Sequence, residues 1–248
     1  MSETAAFIPS RGSDVFGILT RSDAAAGDLV ALLLPGAAEP ASFGRNQVRA
    51  RLARRLSALG CHAMRVDYPG LGESTGTPPA PRLDERLLLP LVEDVRAVVS
   101  WLRDRGLGRV VLIGSCLGSR VALTCVGRVA GLAGLALVTA PPYDYVYGRM
   151  PASGGPEGRF ADLLEGAVRQ RLPVLLVYGR TDRFGADFEL ARRGRLGEVL
   201  RAAGDVVSTR IVEHAVYDFP NVRGQEEVVE TIAGWLADQV LPRPTTTG

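Results

Sequence analysis

The sequence predicts an α/β protein built on a mainly parallel sheet with helices on both faces. Three observations carry that prediction. Short β-branched or leucine-rich runs alternate with longer segments of helical period. The short runs are apolar at nearly every position, as strands covered on both faces must be. And 248 residues, 46% hydrophobic and 23% charged, suffice for one large core.

Taken in order, residues 15–21 and 29–34 read as strands, the second ending at Pro35-Gly36. Residues 47–59 repeat apolar side chains at Val48, Leu52, Leu56 and Leu59, a helical spacing that Gly60 is placed to end. Strand 61–67 follows, then helix 91–105, strand 109–113 and helix 117–129. Strands at 135–139 and 174–178, a helix at 188–200, a strand at 206–212 and a helix at 226–240 complete the alternation. Two stretches break it. Residues 70–83, rich in Gly, Thr and Pro, form a loop. Residues 141–158 carry four prolines and three tyrosines before a short helical piece at 160–171, and 141–171 together are expected to form a lid or cap. One domain is expected over 1–241, with 242–248 as a tail.

Composition excludes several classes. All 29 basic residues are arginine, which removes any mechanism needing a lysine Schiff base or a lysine on a phosphate. The net charge is only +2 and the charges are dispersed, so no nucleic-acid partner is expected. The densest basic run, 49–55, reads as the wet face of an amphipathic helix. No apolar segment approaches membrane-spanning length, and residues 1–11 lack a signal-peptide core. A cytoplasmic location is expected, with no membrane partner, and there the three cysteines remain thiols.

The chemistry concentrates in Arg109-Val-Val-Leu-Ile-Gly114-Ser-Cys116-Leu-Gly118-Ser-Arg120. A strand enters Gly-x-Cys-x-Gly and a helix leaves it. The central residue of such a turn is strained and exposed at the sheet edge, beside a helix N-terminus that favours an anion. On these residues the chain resembles the α/β-hydrolase superfamily over nearly its whole length. Asp67-Tyr-Pro-Gly70-Leu-Gly72-Glu-Ser74 is similar to that family's Asp-x-x-Gly-x-Gly-x-Ser loop. Tyr178-Gly179-Arg-Thr-Asp182 is similar to the segment delivering its acid, and Glu213-His214 to the one delivering its histidine. Gly-Ser-Cys-Leu-Gly is similar to the cysteine elbow of the dienelactone hydrolases.

The resemblance implies the α/β-hydrolase fold and a catalytic triad of Cys116, His214 and Asp182, in family order. It implies an oxyanion hole from the backbone N–H groups of Leu117 and Ala37. Proline precedes Gly36 where many members have histidine, so Ala38 is the other candidate donor. Glu39 lies where dienelactone hydrolases place a glutamate that governs the thiol proton. Arg45, Tyr68, Tyr143 and Tyr145 are candidate substrate contacts, with Tyr147 in the same insertion. Cys61, Cys125 and His62 read as structural, and Asp67 as a strand-end residue. No metal or cofactor is implied. The expected activity is hydrolysis or acyl transfer on a small-molecule ester, lactone or thioester, including a carrier-bound one, in secondary metabolism. Two alternatives stay open: a lyase using His214 as base without an adduct on Cys116, and a binding protein that keeps the fold.

Overall fold

The computed structural model describes residues 1–25, 27–37, 44, 47–78, 85–144, 159–214 and 220–241. Eight strands form one sheet: β1 (Ser2–Ser10), β2 (Ser13–Arg21), β3 (Leu29–Leu34), β4 (His62–Val66), β5 (Arg109–Ser115), β6 (Leu132–Val138), β7 (Val174–Gly179) and β8 (Val207–Val212). Their spatial order is β1-β2-β4-β3-β5-β6-β7-β8. β1 and β2 pair antiparallel, β2 joins β4 antiparallel, and every later neighbour is parallel. The helices are α1 (Val48–Ala58), α2 (Glu85–Arg103), α3 (Leu117–Thr124), α4 (Phe160–Arg169), α5 (Arg183–Ala191), α6 (Arg195–Ala203) and α7 (Val222–Gln239).

The period of two along each strand divides the interior in two. Val30, Leu32, Leu34, Val110, Leu112, Leu135 and Leu137 face α2 to α6. Their neighbours Leu29, Ala31, Leu33, Val111, Ile113, Ala136 and Val138 face α1 and α7. Both faces are covered, which is why these strands read as continuous apolar runs. The C-terminal ends of β3, β5, β6, β7 and β8 therefore lie along one edge.

The structure departs from expectation where local rules yield to packing. β1 was not expected: it is mostly exposed, with Ile8 and Ser10 its only buried residues, and its polar sequence hides the strand. α2 starts at Glu85 and takes in Pro90 as its sixth residue rather than starting after it, at the expense of a backbone hydrogen bond that the proline cannot donate. One expected helix at 188–200 is two, α5 and α6, separated at Gly194. α3 ends at Thr124, short of the expected 129. The basic run is not uniformly wet. Arg49 is buried, donating to the Val66 carbonyl at 2.8 Å and lying 3.6 Å from buried Asp67. Arg51 and Arg55 instead reach Glu226 and Glu230 on α7. No described helix is long and apolar enough to cross a membrane.

Candidate active site

The β5–α3 turn is as tight as its glycines imply. Cys116 has φ 46° and ψ −107°, a left-handed conformation that a side-chain-bearing residue adopts only under constraint. A Cβ on Gly114 would lie 2.2 Å from the Gly118 carbonyl carbon. A Cβ on Gly118 would lie 2.4 Å from the Leu34 oxygen and 2.8 Å from that of Pro35. The helix start is thus pressed against the end of β3, from which Gly36 and Ala37 continue. The Cys116 N–H donates to the Val138 carbonyl at 3.0 Å, and the Ser119 hydroxyl bridges Gly114 O and Val138 O. Leu117, the first residue of α3, places its N–H in the free first turn of the helix.

Asp182 and His214 follow the ends of β7 and β8. With strands about 4.8 Å apart, Cys116, Asp182 and His214 share one edge spanning three strand spacings, about 14 Å. Asp182 is buried. Its Oδ2 accepts the Gly179 N–H at 3.1 Å. A Cβ on Gly179 would lie 2.6 Å from that same Oδ2 and 2.7 Å from the His214 carbonyl oxygen. The carboxylate and the histidine backbone therefore close on one point at the end of β7, and glycine leaves room for both.

The imidazole has a partner the sequence did not reveal. His214 Nδ1 lies 3.0 Å from Glu227 Oε1 on α7, a close approach rather than an aligned hydrogen bond, and the His214 N–H donates to Oε2 at 3.1 Å. Donation from that backbone N–H first, and then the nearby imidazole, hold the Glu227 carboxyl below its usual range. Asn221 was the available signal. Its side chain caps α7 by accepting the Gly224 N–H at 2.7 Å, so the helix starts at Val222, ahead of the expected 226, and Glu227 falls in its second turn.

The profile of the alpha/beta hydrolase family matches residues 31–245. The chain belongs to the alpha/beta hydrolase family. It is accordingly an enzyme of the hydrolase type. No curated protein matches it in sequence. Solved structures share the hydrolase fold. An esterase from Pyrococcus furiosus is 17% identical with TM-score 0.70, over 97% of this chain and 92% of its own. An alpha-beta serine hydrolase homologue from Coxiella burnetii is 21% identical with TM-score 0.67, over 95% and 98%. A Klebsiella pneumoniae protein designated a candidate dienelactone hydrolase is 18% identical with TM-score 0.65, over 95% and 98%.

Within this hydrolase frame the remaining expected residues distribute unevenly. Ala37 is half-buried at the end of β3 and packs on the core. Tyr143 is buried where the chain leaves β6, and Tyr68 is a fully buried core residue. Ala38, Glu39, Arg45, Tyr145 and Tyr147 lie outside the described residues, as does the 145–158 part of the expected cap. His62 is structural: its Nδ1 accepts the Ser22 N–H at 3.1 Å. Burial pushes the Cys61 thiol up to about 12 and raises that of Cys125 as well. The Asp67–Ser74 loop is held by Ser74, whose hydroxyl accepts from Phe16 N and donates to Asp67 O. A cleft of about 540 Å³ between the β1–β2 hairpin and α2, bordered by Arg11, Arg96, Arg103 and Arg128, includes neither Cys116 nor His214.

Proposed function

We propose that this hydrolase cleaves, or transfers the acyl group of, a small-molecule ester, lactone or thioester, with Cys116 as nucleophile. The observation that carries the reading is the strained Cys116 backbone at the β5–α3 elbow, beside a helix N-terminus. Backbone strain of that kind is retained where it aims a reactive side chain. A helix N-terminus also favours the thiolate over the thiol.

In the proposed cycle the Cys116 sulfur attacks the acyl carbon, and the carbonyl π electrons move onto oxygen. The N–H groups of Leu117 and Ala37 receive that oxyanion; losing one such donor costs about 10²–10³ in turnover. His214 takes the thiol proton and returns it to the leaving oxygen or sulfur as the carbon–heteroatom bond breaks. It then takes a proton from water or another acceptor, whose attack on the thioester regenerates Cys116. Asp182 and Glu227 are the carboxylates that hold the His214 segment and balance its charge when protonated. Thioester reactivity toward amines and alcohols as well as water makes acyl transfer, including from a carrier, part of the same reading. A cytoplasmic setting, which keeps cysteines as thiols, and a biosynthetic role belong to the same reading.

The test is covalency. Wild-type protein turning over a panel of chromogenic esters and acyl thioesters is quenched in acid and examined by intact-mass spectrometry. A substrate-sized adduct mapping to Cys116 and released by hydroxylamine is expected. Substantial activity in Cys116→Ala, with no adduct at any time, replaces this reading with a lyase or general-base mechanism centred on His214.

A further inference from the structure

Arg120 lies one turn beyond Cys116 on α3 and is 2% exposed. Its guanidinium gathers the chain that leaves β6. Nη1 donates to the Pro141 carbonyl at 3.0 Å and approaches that of Tyr143 at 3.5 Å, and Nη2 pairs with Asp144. Its Cζ also lies 5.9 Å from the ring centroid of Phe160, the first residue of α4. The Tyr178 hydroxyl holds the same turn from β7, donating to Ala140 O at 2.8 Å, and Thr139 enters the turn at φ 47°. Residues 140–144 and the start of α4 are thus fastened to the helix that begins at the elbow.

A buried guanidinium is a costly way to fill space. Its desolvation is repaid only by good partners, and Arg120 Nε finds none among the described residues. An apolar side chain would pack there without that cost but could not fix three carbonyl and carboxylate oxygens in one geometry. What the arginine secures is the position of this turn relative to Cys116.

We propose that Arg120 is a positioning residue for acyl-chain specificity, fixing the Pro141–Asp144 turn, with Tyr143, as a wall of the acyl pocket. The proposal rests on Cys116 being the site of acyl chemistry. Because β6 is the strand beside β5, the turn after β6 stands next to the elbow, where an acyl chain attached to Cys116 must pass.

The test compares wild type with Asp144→Asn, Arg120→Lys and Arg120→Met across 4-nitrophenyl esters from acetyl to decanoyl. Deuterium uptake by the 139–144 peptide is measured alongside, a reading that needs no turnover. Faster exchange in that peptide is expected in all three variants. The ratio of kcat/KM between short and long esters should shift at least about fivefold, mainly through KM, while the alkylation rate of Cys116 stays within about twofold. Arg120→Met risks misfolding, and Asp144→Asn, altered at the more exposed partner, keeps the test decisive. Unchanged exchange in folded variants overturns the proposal, as does an equal loss on every ester. Failure of the acyl-chemistry reading would show differently, as absence of any Cys116 adduct in the wild type.

Discussion

Glu227 meets His214 at two points, its Oε2 accepting the backbone N–H at 3.1 Å and its Oε1 lying 3.0 Å from the ring Nδ1. One carboxylate therefore fixes both the course of the loop after β8 and the face that the imidazole presents. Glu227→Gln keeps the backbone acceptor and removes the charge. It should lower kcat by about tenfold or more while leaving KM little changed, well short of the ~10⁴ lost when a sole orienting carboxylate is removed. Asp182→Asn, measured beside it, ranks the two acids. Wild-type kcat in Glu227→Gln would reduce the pairing to loop architecture.

Thiol reactivity should separate the three cysteines. Cys61 and Cys125 are enclosed, and burial raises both thiols, so neither supplies thiolate at neutral pH. Cys116 is buried too, at 6% exposed rather than open as the elbow motif predicts, but it sits at a strand-to-helix turn where a helix N-terminus favours the anion. Limiting iodoacetamide at neutral pH, followed by peptide mapping, should mark Cys116 first. Label falling mainly on Cys61 or Cys125 would count against Cys116 as the reactive residue.

The sequence carried the parallel core because burial on both faces leaves its mark at every position of β3 and β7 and along β5 from Val110 to Gly114. It also carried the elbow, since Gly114 and Gly118 are required by backbone packing that no side chain survives. What it hid was set by tertiary contact. β1 is a mostly exposed strand extended by its pairing with β2, and Arg49 turns inward to the Val66 carbonyl and Asp67. Glu227 belongs to the same kind: the Asn221 cap places it in the second turn of α7, but only the tertiary fold brings it to a histidine thirteen residues earlier.

His62 should make stability depend on pH. Burial first, then Arg21, lowers its imidazole below the ordinary 6.5, and the neutral Nδ1 accepts the Ser22 N–H. Between the folded and unfolded values the unfolded chain binds more protons, so stability rises with pH across that window. The contribution is complete above 6.5 and is lost as pH falls through the folded value. His62→Asn keeps an acceptor near Nδ1 but cannot titrate. Melting temperatures recorded from pH 7.5 to 5 should fall less steeply for the variant, and parallel curves would exclude His62 as a source of the dependence.

Gly118→Ala should damage both stability and activity through one contact. The added methyl would lie 2.4 Å from the Leu34 oxygen, 2.8 Å from the Leu34 carbonyl carbon and 2.8 Å from the Pro35 oxygen. All three are backbone atoms, so no rotamer change relieves the clash, and α3 or the end of β3 must move. Overpacking of this kind costs about 1–3 kcal/mol or more. At about 2–4 °C per kcal/mol for a domain of this size, the melting temperature should drop by several degrees. Because Leu34-Pro35 leads into Ala37, and α3 begins at Leu117, the same movement should separate the two proposed oxyanion donors and lower kcat in the fraction that folds. Gly234→Ala is the matched control. Gly234 lies within α7 with nothing inside 4 Å of the new methyl, and alanine there should raise stability by about 0.5–1 kcal/mol. Gly118→Ala with wild-type melting and turnover would mean that α3 does not press on the end of β3 as the glycine spacing requires.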